Sequence, residues 1–339
     1  MLSDISSSFE LVCPAGGLPA LKAAVDNGAN CVYTGFRDDT NARNFSGLNF
    51  DEASLGRGVA YAHANGVKLL LALNTYPQCA NWPRWTDAVD KAADLGVDAL
   101  ILADAGLMAY ARSRHPQLSL HLSVQASATN YEAINFYRQH FNIRRAVLPR
   151  VLSVTQIAEV VAHTEVEIEV FGFGGLCVMV EGRCALSAYA AGVSPNCDGA
   201  CSPGKAVRYV ETEAGVETRL NDILVDRFEV GERAGYPTLC KGRFEVAGET
   251  YYAIEEPASL NTLELLPQLM QAGVRAVKIE GRQRSPAYVA AVTKVWRAAI
   301  DACRRDGDAF SVAPEWMAAL NKVSEGAGAT LGAYNRPWK

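Results

Sequence analysis

A (β/α)8 barrel of the TIM type is the fold this sequence predicts, and three observations predict it. Short β-branched or apolar runs alternate with longer stretches of helical periodicity almost to the end of the chain. Eight such pairs can be counted, and the residues outside one long interruption come to roughly 250, the usual size of such a barrel. The first βα turn lacks G-x-G-x-x-G and no Walker A motif occurs, so a doubly wound nucleotide-binding sheet has no fingerprint to support it.

The elements follow in order. Strand one is expected over residues 10–13, ended by Pro14-Ala15-Gly16-Gly17, with a helix over 20–27. Strand two falls at 31–34 and its helix at 51–65, with Gly66 as the stop. Strand three at 68–73 precedes a helix at 82–95, and strand four at 99–102 a helix at 107–114. Strand five at 118–123 is paired with a helix at 131–140. Strand six at 145–148 is followed by a helix over 153–162, where Ser153 suits the N-cap. After strand seven at 167–171 the rhythm breaks. It resumes at 259 with a helix, then strand eight at 276–279 and a helix over 286–305, whose first turn tolerates Pro286.

The expected organisation is therefore a barrel over 1–171 and 259–305, an insertion over 172–258 and a C-terminal extension over 306–339. The insertion leaves the C-terminal mouth of strand seven, the face that holds the active site in these barrels. Short antiparallel strands are expected within it at 206–210, 242–246 and 251–254. The extension is expected to carry one helix near 314–323 and a glycine-rich segment folded back over a barrel end.

Composition narrows the function classes. The 339 residues are 49% apolar and 20% charged with a net charge of -5, so no global field draws the chain to nucleic acid or anionic membrane. Residues 1–10 lack a basic region followed by an apolar one, and no stretch of about 18 apolar residues exists to span a bilayer. The expected compartment is the cytoplasm. Nine cysteines there are not a disulfide framework, and an odd number cannot all pair.

Five of those cysteines lie in the insertion: Cys177, Cys184, Cys197, Cys201 and Cys240. All five histidines precede it, so a closed four-ligand site within the insertion would be all-thiolate, suiting structural zinc or an iron-sulfur cluster. Paired C-x2-C knuckles, common in zinc ribbons, are missing, and the spacing leans toward a cluster. Packing as small buried hydrophobes is the plain alternative, and it is the reading for Cys31 and Cys303 in their strand and helix patterns. Cys13 precedes a mouth loop and has a stronger case for a role. No G-x-S-x-G elbow or H-E-x-x-H helix supports hydrolysis.

The run E-V-F-G-F-G-G-L-C-V-M-V-E-G-R-C-A-L-S over 169–187 resembles the signature of the collagenase-like peptidase family, with Gly175 where that pattern has Ser or Ala. The similarity extends over CPAG at Cys13, DDTNARNF at Asp38, SVQASATN at Ser123, VLPRVLS at Val147, GYPTLCKGR at Gly235 and VKIEGRQRSPAYV at Val277. Together these segments look like the ubiquinone-biosynthesis (UbiU) branch of that family rather than a peptidase branch. The resemblance implies an oxygen-independent hydroxylation protein working as a heterodimer with UbiV, each subunit holding a [4Fe-4S] cluster. It also implies prephenate as oxygen donor, a quinone precursor as acceptor and a lipid-binding helper protein. Carried onto this sequence, the implied ligands are Cys177, Cys184, Cys201 and Cys240, with Cys197 an extra thiol.

A pocket for a dicarboxylate should offer arginines, whose planar guanidinium binds carboxylate through two N–H groups. Arg43, Arg150 and Arg282 follow expected strands, as do Asn74 and Gln125; surface salt bridging is the alternative for the arginines. Asp104 and Glu280 also stand at strand ends, where a carboxylate moves protons, caps a helix or pairs with an arginine. Three readings follow: a redox hydroxylation subunit, an RNA base hydroxylase of the same family, and a non-catalytic scaffold whose metal folds the insertion.

Overall fold

The structure is a computed structural model and describes residues 9–326 and 328–335. The expectation drawn from residues 1–10 lies mostly outside the described residues. Eight parallel strands form a closed barrel: β1 (Glu10–Pro14), β2 (Cys31–Gly35), β3 (Lys68–Leu73), β4 (Ala99–Leu102), β5 (Ser119–Leu122), β6 (Arg145–Val147), β7 (Glu167–Gly175) and β14 (Ala276–Ile279). Each pairs with its predecessor, and β14 closes the ring by pairing with both β7 and β1.

Helices between the strands cover the outside: α1 (Leu18–Asp26), α2 (Glu52–Ala64), α3 (Trp82–Asp94), α4 (Ala105–Arg114), α5 (Tyr131–Phe141), α6 (Val154–Ala162) and, after the insertion, α9 (Leu266–Gln271) and α10 (Pro286–Asp306). Their ends follow local chemistry. Asp51 and Ser153 make capping boxes, and Asn130 and Ser285 accept backbone N–H bonds at their own caps. In α10, Val289, Val292, Trp296, Ala299, Ile300 and Cys303 recur at helical spacing and are buried against the barrel wall. Burying each larger apolar side chain contributes about 1.5–3 kcal/mol.

Alternation along the strands separates two cores. Leu11, Leu69, Leu71, Leu100 and Val170 face the helices, while Val12, Cys31, Tyr33, Leu70, Ala72, Ala99, Ile101 and Ala276 fill part of the barrel interior. The interior is not uniformly apolar. Glu10, His121, Arg145, Glu169 and Lys278 are also held there, and Arg145 bonds Glu10 at 2.6 Å, Glu167 at 2.6 Å and Glu169 at 3.4 Å. Glu169 in turn accepts from Lys278 at 2.7 Å.

The insertion holds two short helices, α7 (Leu186–Ala191) and α8 (Pro195–Asp198), then a three-stranded antiparallel sheet of β8 (Val207–Thr212), β9 (Gly215–Leu220) and β10 (Ile223–Glu229), and a hairpin of β11 (Phe244–Val246) and β12 (Glu249–Tyr251). Strands β9 and β10 are additional to those expected: VETRL and LVDRF interrupt the apolar alternation with charged residues, of which Asp226 is buried against Arg243. The strand expected at 251–254 instead ends at Tyr251. Leu220 and Val225 pack with Ala190 and Leu239 into a small core of the insertion's own.

Two corrections fall at the insertion's borders. Strand β7 runs on to Gly175, and residues 259–261, expected to begin a helix, form β13 (Ser259–Asn261), which pairs antiparallel with that extension. The extension is possible because Gly174, at φ 124°, sits where a Cβ would lie 2.7 Å from that of Glu280. The C-terminal segment carries α11 (Pro314–Asn321), and β15 (Ala329–Thr330) joins β13. Tyr334 donates from its hydroxyl to the Phe171 carbonyl at 2.7 Å. The tail thus folds back on the β7 side, while Ala327 and residues 336–339 lie outside the described residues.

Candidate active site at the barrel mouth

A pocket with a cavity volume of about 60 Å³, partly open to solvent, lies at the C-terminal end of the barrel. Arg43, Asn74, Gln125, Arg150, Glu280 and Arg282 all line it, as do Tyr33, Ser123, Glu181 and Lys278. Each strand end and following loop delivers its residue to the same face, which is the geometric property of this fold. Asp104 does not line it. Its carboxylate accepts from the Leu107 N–H at 2.8 Å and caps α4, the helix-capping alternative rather than the proton-transfer one.

The polar groups are held in pairs. Arg150 donates to Glu181 at 2.7 Å and stacks on the Phe171 ring at 3.7 Å. The Arg43 guanidinium lies 3.8 Å from Glu280, whose other oxygen accepts the Gly175 N–H at 3.2 Å. Burial works against charge on Glu280, but Arg43, Arg150 and that amide together hold its carboxyl below the usual range. Arg282 donates to Asn41 at 3.0 Å, and burial brings its guanidinium down to about 10. Asn74 is committed to structure, accepting from the Ala42 N–H and donating to Ser123, both at 2.9 Å.

Several buried atoms in this pocket have no hydrogen-bond partner among the described residues: Nε of Arg150, Nε of Arg282 and Oε2 of Glu181. Leaving such groups unpaired costs about 1–3 kcal/mol each, more for charged ones, and a pocket that keeps them is prepared for a polar ligand. Four cations against two carboxylates in the lining give an excess of positive charge. The arrangement can bind an anion through guanidinium N–H groups and keep a carboxylate, Glu280, ionised beside it.

The cysteine-rich lobe is seated on this mouth. Ser127 donates to the Glu181 carbonyl at 2.7 Å, the Tyr76 N–H to the Asn196 carbonyl at 2.9 Å, and Asn196 to the Gly182 carbonyl at 2.9 Å. Gly182, at φ 85°, fits where a Cβ would come within 2.1 Å of the Gln125 carbonyl. Cys177, Cys184, Cys201 and Cys240 are all half-buried. Cys240 is near enough to Cys201 and Cys184, Cys177 to Cys240, and Arg43 to Cys201 and Cys177, for their charges to interact when the thiols ionise. Cys197 lies apart from this exchange, its thiol pushed up by burial and by Asp198.

Burial raises the Cys177 thiol to about 12, with Glu181 adding to it, and Cys240 to about 11, with Cys201 adding to it. Such thiols ionise when a cation takes up the charge, and four of them without histidine form a donor set suited to a soft metal centre. No group of three or more His, Cys, Asp or Glu among the described residues is close enough together for one metal ion. A [4Fe-4S] cluster places one thiolate on each of four irons and so takes a wider ring of sulfurs than a single ion does. In donor chemistry, four thiols without histidine are the kind of ligand such a cluster takes.

The remaining thiols sit elsewhere. Cys13 accepts from the Thr293 hydroxyl at 3.2 Å in the outer core, Cys31 and Cys303 are buried, and Cys79 is exposed on the α3 side of the barrel. Sequence reasoning passed over Lys278, Glu181 and Tyr33. A lysine inside the apolar run Ala276–Ile279 was the available signal for the first, since a charge on a barrel strand must be satisfied inside or at an end.

The chain belongs to the peptidase U32 family, whose model matches residues 16–336. It is similar to the tRNA hydroxylation protein P of Escherichia coli (strain K12), 33% identical over 86% of this chain and 68% of that protein. The tRNA hydroxylation protein P1 of Bacillus subtilis (strain 168) is 29% identical over 94% of this chain and 69% of its own length. A collagenase of Porphyromonas gingivalis is 29% identical over 87% of this chain and 66% of its own. No helix among the described residues is long and apolar enough to cross a membrane.

Proposed function

We propose that the chain is the iron-sulfur subunit of an oxygen-independent hydroxylation system in ubiquinone biosynthesis, working in the cytoplasm as a heterodimer with UbiV and taking the oxygen from prephenate. One observation carries the reading: four half-buried thiols of the insertion and an arginine-lined pocket of the barrel meet at one mouth, with Arg43 within charge range of Cys177, Cys201 and Glu280. Relatives named for tRNA hydroxylation support hydroxylation chemistry over peptide hydrolysis.

In this reading Cys177, Cys184, Cys201 and Cys240 hold a [4Fe-4S] cluster, which when bound supplies one-electron transfer at the mouth. Arg43, Arg150 and Arg282 bind and orient the carboxylates of the donor. Glu280, ionised beside Arg43, accepts a proton from the bound molecule. The seating of the lobe on Gln125 and Ser127 holds the segment between Cys177 and Cys184 at the pocket. The quinone precursor reaches the mouth from a lipid-binding helper protein.

The test is the iron, acid-labile sulfide and zinc content of chain purified without oxygen and co-expressed with UbiV. About four irons and four sulfides per chain, lost on changing Cys177, Cys184, Cys201 or Cys240 to serine but kept on changing Cys197, is the expected result. Zinc without sulfide would overturn the redox reading and leave a metal-folded scaffold. A second reading, a prephenate-dependent RNA base hydroxylase, is favoured by the names of the relatives. RNA co-purifying with the chain, with a hydroxylated base missing from RNA of the deletion strain, would select it over the quinone precursor.

A further inference from the structure

The buried lysine at the base of the mouth pocket has no role in that scheme. Along β14 the inward-facing positions are Ala276, Lys278 and Glu280, at the period of two that a strand imposes. Lys278 therefore lies about 7 Å deeper along the barrel than Glu280. It lines the pocket, and its ammonium is drawn to Glu169, which is level with Ala276 one step deeper, so it forms part of the floor.

An ammonium has three N–H donors, and among the described residues one is given to a hydrogen bond, to Glu169 at 2.7 Å. The Tyr33 ring lies 4.0 Å from Nζ and contributes a cation–π contact. Two donors are left for whatever fills the pocket. Glu169 is fully buried and is itself held by Arg145, which also carries Glu10 and Glu167. The ammonium is thus fixed from below by a chain of alternating charges that reaches the opposite end of the barrel.

Such a chain is a poor way to fill a barrel. Apolar residues of similar volume fill an interior at no desolvation cost, and replacing buried ion pairs with them is often neutral or stabilising. The interior already uses Leu70, Ile101 and Val12 on the side of β1 to β4. A cation kept on the pocket side of this chain is explained if a ligand group meets it.

We propose that Lys278 binds the deeper of two carboxylates of a dicarboxylate ligand, which enters end-on along the barrel axis with its other carboxylate among Arg43, Arg150 and Arg282 at the rim. This rests on the reading of the mouth as a dicarboxylate pocket. It specifies an orientation, since the ligand's two anionic ends are read at two depths, and it gives discrimination against monocarboxylates of the same size.

Calorimetric titration of the full chain, purified without oxygen, with prephenate and with the monocarboxylate phenylpyruvate tests it. Removing one charge-assisted hydrogen bond at the floor should weaken prephenate binding on the order of 10- to 100-fold in Lys278→Met while changing phenylpyruvate binding less than about 3-fold. The double variant Lys278→Met with Glu169→Gln removes the carboxylate that the single change leaves uncompensated, and should bind prephenate as weakly. A wild-type affinity for prephenate in either folded variant overturns the role of Lys278. A wild-type chain that binds neither probe overturns the dicarboxylate reading of the pocket itself.

Discussion

Exchange of Glu10 for glutamine should destabilise the barrel in a way that disappears in acid. Glu10 stands at the N-terminal end of β1, accepting from Arg145 at 2.6 Å and from Lys68 at 2.7 Å. Burial pushes its carboxyl up, but the two cations more than offset this and bring it from 4.5 to about 2. At full value that displacement corresponds to about 3 kcal/mol. The side chain is 16% exposed, so solvent screens part of the interaction and about 2 kcal/mol is the expected contribution. Because the folded-state pKa lies below the unfolded one, the stabilisation is complete well above pH 4.5 and is lost as the pH falls toward 2. A chain of 339 residues has an unfolding entropy that turns 2 kcal/mol into a Tm shift of about 3 °C. Thermal unfolding of wild type and Glu10→Gln at pH 7 and pH 4 is the assay, and the gap should narrow by roughly a quarter between them. Equal stability at pH 7, or a gap that widens in acid, would refute the view that these charges support one another.

Further outcomes are expected at the mouth and beside it. Asp104→Ala should cost about 1 kcal/mol through loss of the α4 cap and leave dicarboxylate affinity unchanged, read by urea unfolding and calorimetry on one preparation. Gly182→Ala places a Cβ against the Gln125 carbonyl in a left-handed backbone, so the loop between Cys177 and Cys184 should lift from the barrel. Iron content should then fall, and proteolysis within residues 172–258 should quicken, with the barrel's own unfolding little changed. Glu325 bridges Lys241, next to Cys240, at 3.1 Å and Arg284 of the barrel. Glu325→Gln should accelerate hydrogen exchange around residues 238–242 and loosen the Cys240 arm; unchanged exchange would show that the hairpin β11–β12 holds that arm by itself.

Much of the barrel was legible because each of its strands is a short buried run with a helix behind it. Lys68–Leu73, Ala99–Leu102 and Ala276–Ile279 fall on the expected residues, since a run buried on both faces leaves little choice of boundary. The insertion was harder to read. Its strands β9 and β10 carry Glu217, which pairs with Arg219 and Arg227, and Asp226, which pairs with Arg243, and those pairings are tertiary information. The strand at Ser259–Asn261 forms against the far end of β7 in a segment whose sequence, LNTLELL, has helical composition. At the site, residues directly after strands were found because the fold brings them to one face. Glu181 was hidden inside the cysteine signature and Lys278 inside a strand, and only their partners Arg150 and Glu169 reveal why charges stand there.

The position of the insertion follows from the same topology. It leaves the far end of β7 and returns at β13, which lies against that same end before α9 leads on to β14, so its two ends are close together. The entropy of closing a longer loop between fixed points grows only with the logarithm of its length, and a lobe can be accommodated there without straining the barrel. Pairing of β13 with the extended β7 then holds the exit and return strands together, and β15 adds the C-terminal segment to the same edge. Strands β7 and β14 carry Glu169 and Lys278, and Glu280 directly follows β14. The lobe also meets the loops after β2 and β3, where Gly199 packs on Asn41 and the Tyr76 N–H donates to the Asn196 carbonyl, so it is held at the pocket mouth from both sides.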